Sequence, residues 1–105
     1  MKKYILTVDC GTQSIRAIIF DEIGNIAAIA KEEFEPYLSP SPGFAEQDPN
    51  MYYEAMCRVI KELKHKNEEL MTKVEGLSVT TQRDSCVFLD KDNKPVRPMI
   101  LWMDQ

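Results

Sequence analysis

The residues best suited to chemistry lie in one short run, Asp9-Cys10-Gly11-Thr12-Gln13-Ser14. Gly11 can take a positive φ and lets a backbone approach a ligand closely. Thr12, Gln13 and Ser14 add side-chain donors, and successive amide N–H groups in such a turn form an anion-binding nest. Asp9 places one carboxylate beside that nest, which suits Mg²⁺ held by a carboxylate, phosphate oxygens and water. The run therefore fits a metal-bound polyphosphate. The same residues would also serve as the polar loop of an unliganded hairpin, and the motif alone does not choose. No Gly-Lys-Ser/Thr follows, so this is not a P-loop. A second polar cluster, Thr80-Thr81-Gln82-Arg83-Asp84-Ser85, stands far from the first in sequence. Arg83 offers a planar fork of donors and Asp84 an acceptor-only carboxylate, a pair able to grip vicinal hydroxyls. As a solvated turn it would do nothing of the kind.

The elements that must position these residues are legible from pattern. Tyr4–Val8 and Ile15–Phe20 are apolar, β-branched runs that read as strands on either side of the first cluster. Asp21-Glu22-Ile23-Gly24-Asn25 carries turn chemistry and leads into a third strand, Ile26–Phe34, completing an antiparallel meander. Glu35–Pro49 is proline-rich and reads as an ordered loop, neither helix nor central strand. Asp48 is a good N-cap and Pro49 fits the first helical position. A helix over Asn50–Lys66 follows, with Tyr52, Met56, Val59, Ile60 and Leu63 on one stripe and His65 among solvated charges. Asn67-Glu68-Glu69 breaks that pattern. Val74–Thr81 predicts a buried strand after a crossover helix, ending at the second polar cluster. Such a strand end is a usual place for ligand groups in α/β sheets. Cys86–Asp90 and Val96–Trp102, around Lys91-Asp92-Asn93-Lys94, predict a hairpin.

Composition narrows the function classes. The chain has 105 residues, 44% hydrophobic and 29% charged, which suits a small domain with its own core. Net charge is −4 with no basic run, so nucleic-acid binding has no electrostatic support. Asp9 interrupts the first apolar run too early for a signal peptide, and no stretch approaches membrane-spanning length. Cys10, Cys57 and Cys86 are odd in number and lack metal-ligand spacing, which predicts a reducing, cytoplasmic setting. The run Pro98–Gln105 stops inside a strand-like pattern, as a domain cut short would.

Taken together, four segments carry a resemblance. Asp9-x-Gly11-Thr12-x-Ser14-x-Arg16 looks like the first phosphate motif of actin-like ATPases, and more narrowly of the FGGY carbohydrate kinases, the family of glycerol kinase and xylulose kinase. Pro42-Gly43-Phe44-Ala45-Glu46-Gln47-Asp48-Pro49 resembles a family segment in which Trp usually stands at the position of Phe44. Gln82-Arg83-Asp84 is similar to the Gln-Arg-Glu of glycerol kinases, one methylene shorter at the acid, where xylulose kinases usually have Gln-Met-His. Trp102-x-Asp104 matches the family's Trp-x-Asp. The resemblance implies an α/β, ribonuclease-H-like (actin-like ATPase) fold, with residues 1–105 the truncated first part of an N-terminal domain. It implies ATP and Mg²⁺ as cofactors and a small-molecule sugar or polyol as acceptor, a glycerol- or alditol-like one being favoured. Asp9 would place the metal, and Gly11, Thr12, Gln13, Ser14 and Arg16 would approach the phosphates. Gln82, Arg83, Asp84, Trp102 and Asp104 would hold the acceptor. The family's general base is an Asp downstream of Gln105, so these residues alone are expected to be inactive. Neither nucleic acid nor membrane is expected as a partner, and a homo-oligomer stays open. A non-kinase actin-like ATPase and a non-catalytic interaction domain are the competing readings.

Overall fold

The computed structural model of the chain describes residues 3–34, 38–82 and 85–103. Strands β1 (Tyr4–Cys10), β2 (Ser14–Asp21) and β3 (Ile26–Glu33) form the expected antiparallel meander. Each runs within a residue or two of the range read from sequence. The β2–β3 turn is fixed by Asp21, whose carboxylate accepts from the amides of Ile23 (3.1 Å) and Asn25 (2.8 Å), while Gly24 adopts φ 90°.

The helix α1 (Pro49–Lys66) starts at Asp48, whose side chain accepts from the Asn50 amide at 3.0 Å, with Pro49 in the first turn. It buries Ala55, Val59 and Leu63 against Leu6, Val8, Ile15, Ala17, Ile19 and Ala30 of the meander. Met56 and Ile60 pack at the margin of this core, as their spacing predicts. Arg58 pins the helix to β3 through a two-pronged pair with Glu32 (2.7 and 2.6 Å). His65 is exposed. The residues that break the stripe form a single turn of helix, α2 (Glu68–Met71).

The crossover returns the chain as β5 (Val74–Thr80), parallel to β1, giving a mixed sheet in the order β3-β2-β1-β5. This strand corrects one expectation, because it is not buried. Its register pairs Leu77 with Leu6 and Val79 with Val8, so both point to the helix-bearing face. Yet α1 lies over β2 and β3, and Leu77 remains 63% exposed. β5 is an edge strand beyond the reach of the helix.

The C-terminal hairpin needs a second correction. Instead of two continuous strands there are isolated pairings, Cys86 with Ile100 and Leu89 with Pro95. Pro95 and Pro98 supply no amide donor, so a regular ladder cannot run through them. The tip is still a turn: the Asp90 carboxylate accepts from the amides of Asp92 and Lys94, and Asn93 takes φ 62°. The regular part, β6 (Met99–Ile100), pairs with β4 (Glu46–Gln47), a short strand inside the stretch read as loop. Arg97 forms an ion pair with Glu46, and the Leu101 amide donates to the Ala45 carbonyl at 3.0 Å. This second sheet brings the C-terminal segment back onto the first half of the chain.

Candidate functional site

The turn Gly11–Gln13 sits beyond the C-terminal ends of the parallel pair β1 and β5. It is tighter than the sequence suggested, since strand pairing continues through Cys10 and resumes at Ser14. Gly11 does not take a positive φ. The turn closes with a 2.9 Å bond from the Gly11 amide to the Ser14 carbonyl, and a Cβ at Gly11 would lie 3.1 Å from that same oxygen, a tight contact that glycine avoids.

All three carbonyls of the turn are held by the protein. The Gly11 oxygen accepts from Gln82 Nε2 (3.1 Å), the Thr12 oxygen from Gln47 Nε2 (2.9 Å) and the Gln13 oxygen from the Phe34 amide (3.0 Å). The amides of Thr12 and Gln13 have no acceptor among the described residues. A peptide unit whose oxygen is fixed has its N–H direction fixed too. The turn therefore presents preorganised donors, the arrangement an anion needs.

Asp9 lies on the sheet face opposite α1. Its cross-strand neighbour is Arg16 and its neighbour on β5 is Thr80. One carboxylate oxygen is paired with the Arg16 guanidinium, and the other accepts from Thr80 Oγ1 at 2.9 Å. The Arg16 hydrogen bond, then that of Thr80, holds the Asp9 carboxyl below its ordinary range. Burial pushes the adjacent Cys10 thiol up, and the Asp9 charge adds to this, so Cys10 is no activated thiolate.

Gln82 and Trp102 both come to the turn. The Trp102 indole donates to Thr12 Oγ1 (3.2 Å), with the ring 57% exposed and open to a ligand. Gln82 also donates to the Tyr52 hydroxyl at 2.6 Å. Burial raises the Tyr52 pKa, with the Gln82 hydrogen bond acting in the opposite sense. Phe34 meets Tyr52 edge-on, centroids 5.4 Å apart. Arg83, Asp84 and Asp104 lie outside the described residues. Sequence reasoning put Tyr52 on the core stripe, Thr80 in the second polar cluster and Gln47 in a family segment, but assigned none of them a contact with the turn or with Asp9. The burial of Gln47, only 2% exposed, and its contact with the Thr12 carbonyl appear only in the structure.

This geometry can be set beside known proteins. Residues 4–105 match the model of the N-terminal domain of the FGGY family of carbohydrate kinases. The chain belongs to the FGGY family. A glycerol kinase of Petrotoga mobilis is 39% identical over 106 aligned positions, covering 100% of this chain and 21% of that protein. A glycerol kinase of Thermococcus onnurineus is 39% identical over 97% of this chain and 20% of its own length. Among solved structures, the xylulose kinase of Rhodospirillum rubrum superposes with a TM-score of 0.91 at 30% identity, over 98% of this chain and 21% of that one. Plasmodium falciparum glycerol kinase with ADP gives 0.79 at 26% identity, over 98% of this chain and 21% of that chain. The chain thus spans about a fifth of the length of the relatives it matches. Its fold is the first part of the ribonuclease-H-like, actin-like architecture of this FGGY family.

Proposed function

We propose that residues 1–105 are the N-terminal portion of an ATP-dependent kinase that transfers the γ-phosphoryl group to a hydroxyl of a small sugar or polyol. The observation that carries this reading is the turn with its three carbonyls held inward and its Thr12 and Gln13 amides outward, beside an exposed Trp. Phosphoryl transfer needs little covalent chemistry from the protein, so positioning and charge stabilisation dominate. The Thr12 and Gln13 amides would receive phosphate oxygens, and Arg16 would add positive charge at the same edge. Trp102 would offer its ring to the C–H side of the acceptor. Gln82, Arg83, Asp84 and Asp104 are proposed on the acceptor side from their place in the motifs.

The donor set fits Mg²⁺. Asp9 is a carboxylate whose oxygens take Arg16 and Thr80 yet each keep a lone pair that a cation could use. A single carboxylate plus phosphate oxygens is how Mg²⁺ is ordinarily held in such enzymes. When bound, Mg²⁺ would neutralise charge on the phosphates. A glycerol- or alditol-like acceptor is supported by Gln82-Arg83-Asp84 and by glycerol kinases at 39% identity. A ketopentose is the second reading, favoured by the close superposition on a xylulose kinase. A cytoplasmic setting is supported by three free cysteines, and no described helix is long and apolar enough to cross a membrane.

The test is turnover by the full gene product with ATP, Mg²⁺ and a panel of glycerol, alditols and ketopentoses. Preference for glycerol or an alditol supports the reading. Preference for xylulose transfers it to the second. ATP hydrolysis unaffected by any acceptor would make the protein an actin-like ATPase instead.

A further inference from the structure

Gln82 stands in the acceptor-side motif, yet its polar atoms are turned toward the protein. Nε2 faces the Gly11 carbonyl at 3.1 Å and the Tyr52 hydroxyl at 2.6 Å, and Oε1 accepts from Ser85 Oγ at 2.9 Å. The carbonyl of Gly11 can only accept, so the atom facing it is the amide nitrogen and the orientation of the carboxamide is settled. Ser85 Oγ in turn accepts from the Trp102 amide at 3.1 Å, and the Trp102 indole donates to Thr12 Oγ1 at 3.2 Å. Thr12 is covalently joined to Gly11, where the path began. These contacts close a ring, Gly11–Gln82–Ser85–Trp102–Thr12, that passes once through the phosphate turn and once through the acceptor side.

We propose that Gln82 is a positioning residue: it holds the Gly11 carbonyl inward and, through Ser85 and Trp102, ties the geometry of the acceptor side to that of the phosphate turn. Both NH₂ hydrogens are committed, one to each acceptor, and the oxygen spends one of its two lone pairs on Ser85. A side chain so engaged gives an acceptor molecule little to bind, but it fixes the relative placement of two sites that must meet at one transferred group. Anchorage to Tyr52 of α1 gives the ring a firm support, since α1 buries Ala55, Val59 and Leu63 against the meander. Substitution of Gln82 releases the Gly11 carbonyl and loosens both sides together.

The kinase reading enters only the kinetic half of the test. In the full gene product, selective ¹⁵N-tryptophan labelling, with Trp102→Phe to assign the signal, picks out the one indole N–H resonance that reports the Thr12 contact. In ¹H–¹⁵N spectra, Gln82→Leu is expected to shift that resonance and the Gly11 and Thr12 amides. Ser85→Ala, a smaller change, is expected to shift the Trp102 signals while leaving the Gln82–Gly11 contact in place. In the full gene product, Gln82→Leu is expected to lower kcat by about 10²-fold, the effect of a misplaced reacting group, with the acceptor KM nearly unchanged. Two results would overturn the proposal: turn amides that stay in place in Gln82→Leu, or an acceptor KM that rises at constant kcat, which would make Gln82 a direct acceptor ligand. Wild-type protein without turnover would sink the kinase reading alone, and the spectra would still decide the ring.

Discussion

Asp9 shows how a single residue is tuned by its neighbours on the sheet. Arg16 and Thr80 stabilise its ionised form, so its folded pKa lies below the ordinary 3.8. The folded carboxyl therefore binds its proton less tightly than the unfolded chain does. That contribution to stability is present above the unfolded value and is lost as pH falls through the folded one. Carboxyl titration by ¹³C NMR should show Asp9 ionising at lower pH in the wild type than in Arg16→Met. Cys10 is tuned the opposite way by burial and by the Asp9 charge. Alkylation followed by peptide mass spectrometry should label exposed Cys86 first and Cys10 last. Gly11 is a third case. The left-handed φ expected of it is not used, and the structure shows instead that a Cβ there would press on the Ser14 oxygen at 3.1 Å.

The helix α1 was the most readable element, because its cap, its N-terminal proline and its apolar spacing all act within a few residues of one another. Asp48→Ala should cost about 1 kcal/mol by removing the acceptor for the Asn50 amide. Leu63→Ala, opening a void under the helix, should cost about 2–5 kcal/mol. Thermal or urea unfolding measures both, with the core substitution expected to be the larger. The hairpin was less readable. Its alternation and turn residues were visible, but whether Pro95 and Pro98 interrupt a ladder depends on which edge faces a partner, and β6 found its partner in β4 instead. Glu46–Gln47 could not be read as a strand, since two residues carry no period.

At the scale of the whole molecule, both sheet faces retain apolar area. Leu77 and Val79 are uncovered on the helix side, and Ile5, Ile26 and Ile29 on the other. Contiguous exposed apolar surface of this kind favours association. The 105-residue chain by itself should bind a hydrophobic dye and self-associate, and Ile29→Lys should weaken both without disturbing the helix-side core. Analytical ultracentrifugation with dye fluorescence checks this; a monodisperse monomer that ignores the dye would contradict it. The same chain should give no turnover with ATP and any polyol, since the family's general base is expected beyond Gln105.

The sequence by itself determined the strands of the meander, the capped helix, the crossover and the order of the motifs that mark the family. These depend on local chemistry: side-chain period, turn residues, caps and short spacings. Only the tertiary structure decided how the Gly11–Gln13 turn is aimed. Its Thr12 carbonyl is held by a residue 35 positions away and its Gly11 carbonyl by one 71 positions away. Such bonds exist because β5 pairs in parallel with β1 and the β4–β6 sheet brings the C-terminal segment back to the first half of the chain. A carboxamide in a sequence carries no sign of which distant carbonyl it will hold; the register of the sheets supplies that.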